Sequence, residues 1–171
     1  MAFLSASGNR RVVEGDAAAV ERGEAWSIQY AISLEPSWRT RSARVSCLST
    51  SGRYQRTLQA DGSGRWWVDG EAVPELDGCV DVDLESSTFT NALPVHRLGL
   101  RVGEQADAPA AYVRSDGLRV ERLEQRYMRL EDDAGHERYL YAAPAFGFEC
   151  ELLYDEAGLL LEYPGIGVRA A

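Results

Sequence analysis

The chain is 171 residues long, 45% apolar and 26% charged, enough for one hydrophobic core without disulfide staples. All 18 basic residues are arginine, which excludes lysine chemistry such as a Schiff base or a phosphate-loop lysine. Against 27 acids they leave a net charge of −9, a field that repels nucleic acid. The excess is uneven: residues 1–60 carry 8 bases and 5 acids, residues 61–171 carry 10 and 22.

From the N-terminus, Met1–Arg11 has no basic stretch ahead of an apolar run of export-signal length. No segment reaches the ~20 apolar residues of a spanning helix, so no integral membrane association is expected. Asp16–Arg22 predicts a short helix, with Asp16 capping three alanines. Trp26–Ser33 places large apolar residues at even positions and small or polar ones at odd positions, the pattern of a half-buried strand. Cys47, Cys79 and Cys150 are widely spaced, and neither His96 nor His136 completes a zinc spacing. They read as free core thiols of a cytoplasmic protein, with no metal and no cofactor implied. Arg53–Gln59, Leu118–Leu130 and His136–Ala143 predict long strands, each polar on much of one face. Val80–Glu85 and Phe146–Leu152 alternate apolar with acidic residues, and His96 falls at an expected strand start. Turn signals such as Asp61-Gly62-Ser63-Gly64, Asp77-Gly78 and Asp155-Glu156-Ala157-Gly158 separate these runs. The expectation is one domain over residues 1–171. It is all-β, a strongly curved antiparallel sheet (a spiral roll or incomplete barrel) around an apolar interior, with at most one or two short helices.

The densest chemistry lies between Asp69 and Glu85, with seven acids and no base. An unbroken strand would put Asp77, Cys79, Asp81, Asp83 and Glu85 on one face, Asp81 and Asp83 ~7 Å apart. Such carboxylates suit general acid–base hydrolysis, a hard cation, sugar hydroxyls, or simply a solvated or arginine-paired face. The preceding Pro36–Ala60 holds five arginines and no acid, so cross-strand pairing between the two blocks is expected, with an anion clamp as the alternative. Cys79 is a poor nucleophile among acids. No Gly-x-Ser-x-Gly elbow accompanies either histidine.

Several segments resemble a bacterial glycolipid-binding family, formerly a domain of unknown function, over about residues 10–169. They are Asp61–Trp66, Pro74–Leu84, Phe89-Thr90-Asn91-Ala92-Leu93-Pro94 through Leu98, Gln125-Arg126-Tyr127, and Gly158–Gly165. Ser87-Thr88 stands where that family usually has a proline, and Ala92 and His96 replace a threonine and an arginine. The resemblance implies a spiral β-roll similar to carriers that move lipoproteins between bacterial membranes, and an amphiphile-binding role without assigned catalytic residues. The first reading is thus a non-enzymatic binder of a glycolipid or fatty-acid-like molecule, with acyl chains in an apolar cavity and the head group at a polar rim. Wall candidates are Trp26, Trp38, Trp66, Trp67 and Tyr127; polar candidates are Arg65, Asp77, Asp81, Asp83, Thr90, Asn91 and Gln125. The alternatives are a hydrolase using Asp81 and Asp83, or an interaction protein with a filled core.

Overall fold

The computed structural model describes residues 1–21 and 23–170. The elements in chain order are β1 (Ala2–Ser7), β2 (Arg10–Glu21), β3 (Glu24–Leu34), β4 (Thr40–Ser49), β5 (Gly52–Ala60), β6 (Trp66–Val68) and β7 (Glu71–Ala72). Then come β8 (Asp81–Leu84), α1 (Ala92–Leu98), β9 (Gln105–Asp107), β10 (Ala110–Val113) and β11 (Val120–Leu123). The last are β12 (Arg126–Arg129), β13 (Glu137–Ala143), β14 (Phe148–Tyr154), β15 (Leu160–Tyr163) and β16 (Gly167–Val168). The chain is all-β and mostly antiparallel, and its sheets do not close into a barrel. Among the described residues the strands form a seven-stranded meander β1 to β7, a three-stranded sheet β11-β10-β8, and a six-stranded sheet β16-β15-β14-β13-β12-β9. One pair, β8 with β10, is parallel.

The meander is set by alternation. Ile28, Tyr30, Ile32 and Leu34 of β3 point inward and are buried. The opposing β2 residues are small: Ala17 lies across from Ile28, Gly15 from Tyr30 and Val13 from Ile32. A Cβ on Gly15 would stand 2.3 Å from the Tyr30 hydroxyl, so glycine is what lets that ring cross β2 and reach Ser87 at 2.7 Å. This register overrides the helix expected at Asp16–Arg22. The three alanines are strand residues, Ala17 and Ala19 opposite the large Ile28 and Trp26 and Ala18 opposite Ser27, and a strand pairing that runs the length of β2 outweighs a weak local helix preference. Arg22 itself lies outside the described residues.

The three-stranded sheet lies between two cores. Val82 and Leu84 of β8, with Ala111 and Val113 of β10, join the core under the meander. Tyr112, whose side chain leaves the opposite face, joins a tyrosine-rich core against the six-stranded sheet, made with Tyr127, Tyr139, Tyr141, Tyr154 and Tyr163. All four residues of β8 are therefore buried. Thr40 ties β4 to β8, its amide donating to the Val80 carbonyl and its Oγ1 accepting from the Val82 amide at 3.1 Å.

Three further expectations change. Leu118–Leu130 is two strands, because the chain breaks at Glu124-Gln125 to bury the Gln125 side chain, sending β11 and β12 to different sheets. His96 lies in α1 and not at a strand start. That helix follows a 3-10 turn over Thr88–Asn91, carries Pro94 in its first turn, where no amide partner is lost, and ends at left-handed Gly99. The His96 ring stacks on Trp38 at 3.7 Å between centroids, and a Cβ on Gly158 would press into it at 2.7 Å. Finally, the basic block does not neutralise the acidic one across paired strands. Among the described residues the one ion pair between the two blocks is Arg56 with Asp69, at 3.4 Å; Asp81 pairs with Arg97 and Glu85 with Arg114. The reason is topological: β8 leaves the meander for the middle sheet, where its neighbours come from the C-terminal half. Among the described residues no helix is long and apolar enough to cross a membrane.

Candidate functional site

Between the middle sheet and the six-stranded sheet opens a cleft of about 440 Å³, within the range of ~300–1,000 Å³ usual for small-molecule sites. Its walls are aromatic. Phe148 and Tyr163 lie 5.9 Å apart, Tyr141 and Tyr163 5.8 Å apart, and Tyr112 and Phe146 5.8 Å apart, all tilted or edge-on. Tyr141 and Phe148 lie on one face of neighbouring strands β13 and β14, and Tyr163 on β15. The floor is polar, with Asp83 and Asn91; Glu85, Ser87 and Arg114 stand at the mouth.

Asp83 is the pivot of the floor. It is 8% exposed. Thr90 Oγ1 donates to its Oδ1 at 2.6 Å, and Gln125 Nε2 donates to its Oδ2 at 2.6 Å and to the Tyr141 hydroxyl at 3.0 Å. Beside it Asn91 Nδ2 donates to the Tyr127 hydroxyl at 2.9 Å, while the Tyr154 hydroxyl donates to the Asn91 carbonyl. Thr90 Oγ1 also accepts the Leu84 amide at 3.2 Å, which fixes the turn before α1. Burial raises the Asp83 carboxyl above the usual carboxylate range, against the lowering effect of Thr90 and Gln125. Burial likewise lifts the phenols of Tyr112, Tyr141 and Tyr163, so each meets the cleft as a neutral hydroxyl.

Asp83, Thr90 and Gln125 thus share one set of buried hydrogen bonds, and Asn91 and Tyr127 form another beside it. Of these, Asp83 and Asn91 line the cleft. Asp81 is turned to other work: the Arg97 guanidinium grips it through Nε at 3.0 and 3.1 Å and Nη2 at 2.6 Å. The pairing of Asp81 with Asp83 as acid and base is therefore not assembled in the cleft. Trp66 is a core residue, 1% exposed, its indole N–H donating to the Cys79 carbonyl at 2.9 Å. Trp38 stacks on His96 under the Arg11 guanidinium. Trp67 is a half-buried residue of β6. Asp77 and Arg65 are exposed turn residues, Asp77 accepting Arg122 through its carbonyl and Arg65 donating its amide to Asp61. Trp26 borders an adjoining groove of about 1320 Å³. This groove shares Glu85, Ser87, Thr88, Arg114 and Ile166 with the cleft and runs on past Ala17, Ala18 and Ala19.

Of the wall residues, Tyr112, Phe146 and Phe148 escaped notice in the sequence. Tyr141 and Tyr163 fall in the tyrosine-bearing Arg138–Tyr141 and Tyr163-Pro164-Gly165, which suit a pocket wall and a core edge equally. Burial pushes the Cys79 thiol up to about 11, with Arg122 opposing the rise and Glu124, Asp81 and Asp77 adding to it, which works against a thiolate there.

Among curated proteins none matches the chain. The crystal structure of a DUF1089 family protein from Pseudomonas aeruginosa superposes with a TM-score of 0.84 at 35% identity, covering 99% of this chain and 91% of that one. A family model described as "Putative glycolipid-binding" matches residues 1–169. With the family model matched over residues 1–169 and the related structure 35% identical over 99% of this chain, the chain belongs to the family so described.

Proposed function

We propose that the protein is a non-enzymatic binder of a small amphiphile, acting as one unit over residues 1–171. A sugar head sits in the aromatic cleft and its alkyl chain leaves along the adjoining groove. The observation that carries this reading is the cleft itself, where rings of Tyr141, Phe148 and Tyr163 stand over a floor of Asp83 and Asn91. Rings pack against the C–H faces of a sugar while carboxylate, amide and hydroxyl groups take its hydroxyls. The head is placed over Asp83 and Asn91 and the chain along the groove's apolar stretch of Ala17, Ala18, Ala19 and Trp26, where the sequence reading puts the chain in the cavity and the head at its rim. Each methylene removed from water there adds about 0.8 kcal/mol. The family's description supports the ligand class. Free Cys47, Cys79 and Cys150 suit a reducing compartment and support a cytoplasmic location.

The test is calorimetric titration with octyl β-glucoside below its micelle-forming concentration, on the native chain and on Phe148→Ala. Binding that weakens about tenfold or more in the variant is expected of a central aromatic contact. No binding at millimolar concentration, or equal affinity in the two proteins, overturns the reading.

A further inference from the structure

Resting on the binding reading above, the geometry points to the charge of the head group. We propose that the cleft selects an amphiphile whose head carries an ammonium group, an amino sugar being the class that also meets the aromatic walls. Three observations converge on this. First, Asp83 is 8% exposed and faces the cleft, yet its partners are the neutral Thr90 and Gln125; among the described residues no cation lies within ion-pair distance of it. A buried carboxylate without a counter-charge is costly, and with two hydrogen bonds accepted it keeps lone pairs free for a further donor. A ligand ammonium supplies the missing charge. Second, the rings of Tyr112, Tyr141, Phe146, Phe148 and Tyr163 surround the same space, and π-faces attract a desolvated cation.

Third, the surrounding field is acidic. Among the described residues lining the cleft and groove, Asp83, Glu85, Glu24 and Asp116 face a single base, Arg114. That guanidinium stands at ion-pair distance from Glu85 (3.6 Å), Glu121 (3.7 Å) and Asp116 (3.8 Å), with its Nε hydrogen-bonded to none of them, and it leans over the Tyr112 ring at 5.8 Å. Three acids around one base leave the local charge negative, and a phosphate or carboxylate head that reached Arg114 would face Asp83 and Glu85 as well. An ammonium group meets no such repulsion.

The experiment compares three octyl glycosides of equal chain length: the neutral glucoside, the 2-amino-2-deoxyglucoside and the glucuronide. Titrated into the full chain near neutral pH and low salt, the amine probe is expected to bind about tenfold tighter than the neutral one, and the acid probe weakest. Asp83→Asn is expected to collapse the ratio of amine to neutral affinity toward one. If that variant does not fold, Glu85→Gln at the mouth is expected to lower the same ratio. Equal binding of amine and neutral probes, or tightest binding of the glucuronide, overturns the charge selection while leaving the amphiphile reading standing. A ratio unmoved in the variants overturns it too. Binding of none of the three removes both.

Discussion

Replacing Arg97 with methionine isolates the strongest buried ion pair. The Asp81 side chain is 3% exposed and that of Arg97 13%, and three N–H···O contacts of 2.6 to 3.1 Å join them. Removing the cation leaves a buried carboxylate uncompensated, which costs about 3–5 kcal/mol. For a chain of this size each kcal/mol lowers Tm by about 2–4 °C, so a fall of about 6–20 °C is expected. The loss also depends on pH. Burial raises the Asp81 carboxyl and Arg97 opposes that rise, so without Arg97 the folded-state pKa climbs further above its unfolded value. A carboxyl raised on folding favours the folded state below the unfolded pKa, and that advantage is lost as pH rises through the folded pKa. The gap between variant and native protein should therefore be widest near about pH 7.5 and narrow toward about pH 4.5, where protonated Asp81 needs no cation. Urea unfolding followed by tryptophan fluorescence at both pH values measures this. Asp81→Asn combined with Arg97→Met should recover part of the loss, since the charge left unpaired is gone. A variant within about 1 kcal/mol of the native protein near pH 7.5, the size of an exposed pair, would refute the reasoning. So would a gap that widens in acid.

Gly15→Ala should destabilise the meander by about 1–3 kcal/mol, the usual cost of overpacking. Its Cβ meets the Tyr30 hydroxyl at 2.3 Å and the Met1 carbonyl at 2.8 Å. Thermal unfolding checks this, and an unchanged Tm counts against the crossing of Tyr30 over β2. His96→Phe should keep the stack on Trp38 and flatten part of the acid sensitivity of folding. Burial, with Arg11 adding to it, lowers the His96 pKa, so its contribution is present above the unfolded pKa and lost as pH falls through the folded one. Comparing both proteins by urea unfolding between about pH 7 and 5 cancels the other titrating groups; parallel curves would exclude a role for His96.

Fold class was legible because period-two patterning is local. Trp26–Ser33 and, from Phe148 on, Phe146–Leu152 announce their strands whatever packs on them, Phe146 closing a 3-10 turn instead, and the Asp-Gly turns punctuate them. Asp16–Arg22 misled because three alanines look helical until β3 pairs along them, with Ile28 and Trp26 opposite Ala17 and Ala19. The alternation in Asp81–Leu84 was read correctly as a strand. Which medium its acidic face meets is a different matter, and there the local signal is silent: solvent and a second sheet leave the same pattern. The candidate site divides the same way. Asp83 stood out in a dense acidic run, and Thr90, Asn91, Gln125 and Tyr127 in the segments that resemble the glycolipid-binding family. Tyr112 and Phe148 did not, since single aromatics in separate strands look like ordinary core residues.

The charge asymmetry shows the same limit. By itself the sequence determined that every base is arginine, that acids dominate the C-terminal two-thirds, and that alternating strands build the molecule. Tertiary structure alone decided which acid meets which base. It gave Asp81 to Arg97 and Glu85 to Arg114, and left Asp83 facing an aromatic cleft beside neutral partners. The physical reason is that alternation and turn chemistry act within a few residues. Ion pairing and cleft walls depend on which sheet a strand joins, and β8 joined the middle one, parallel to a strand nearly thirty residues further along the chain.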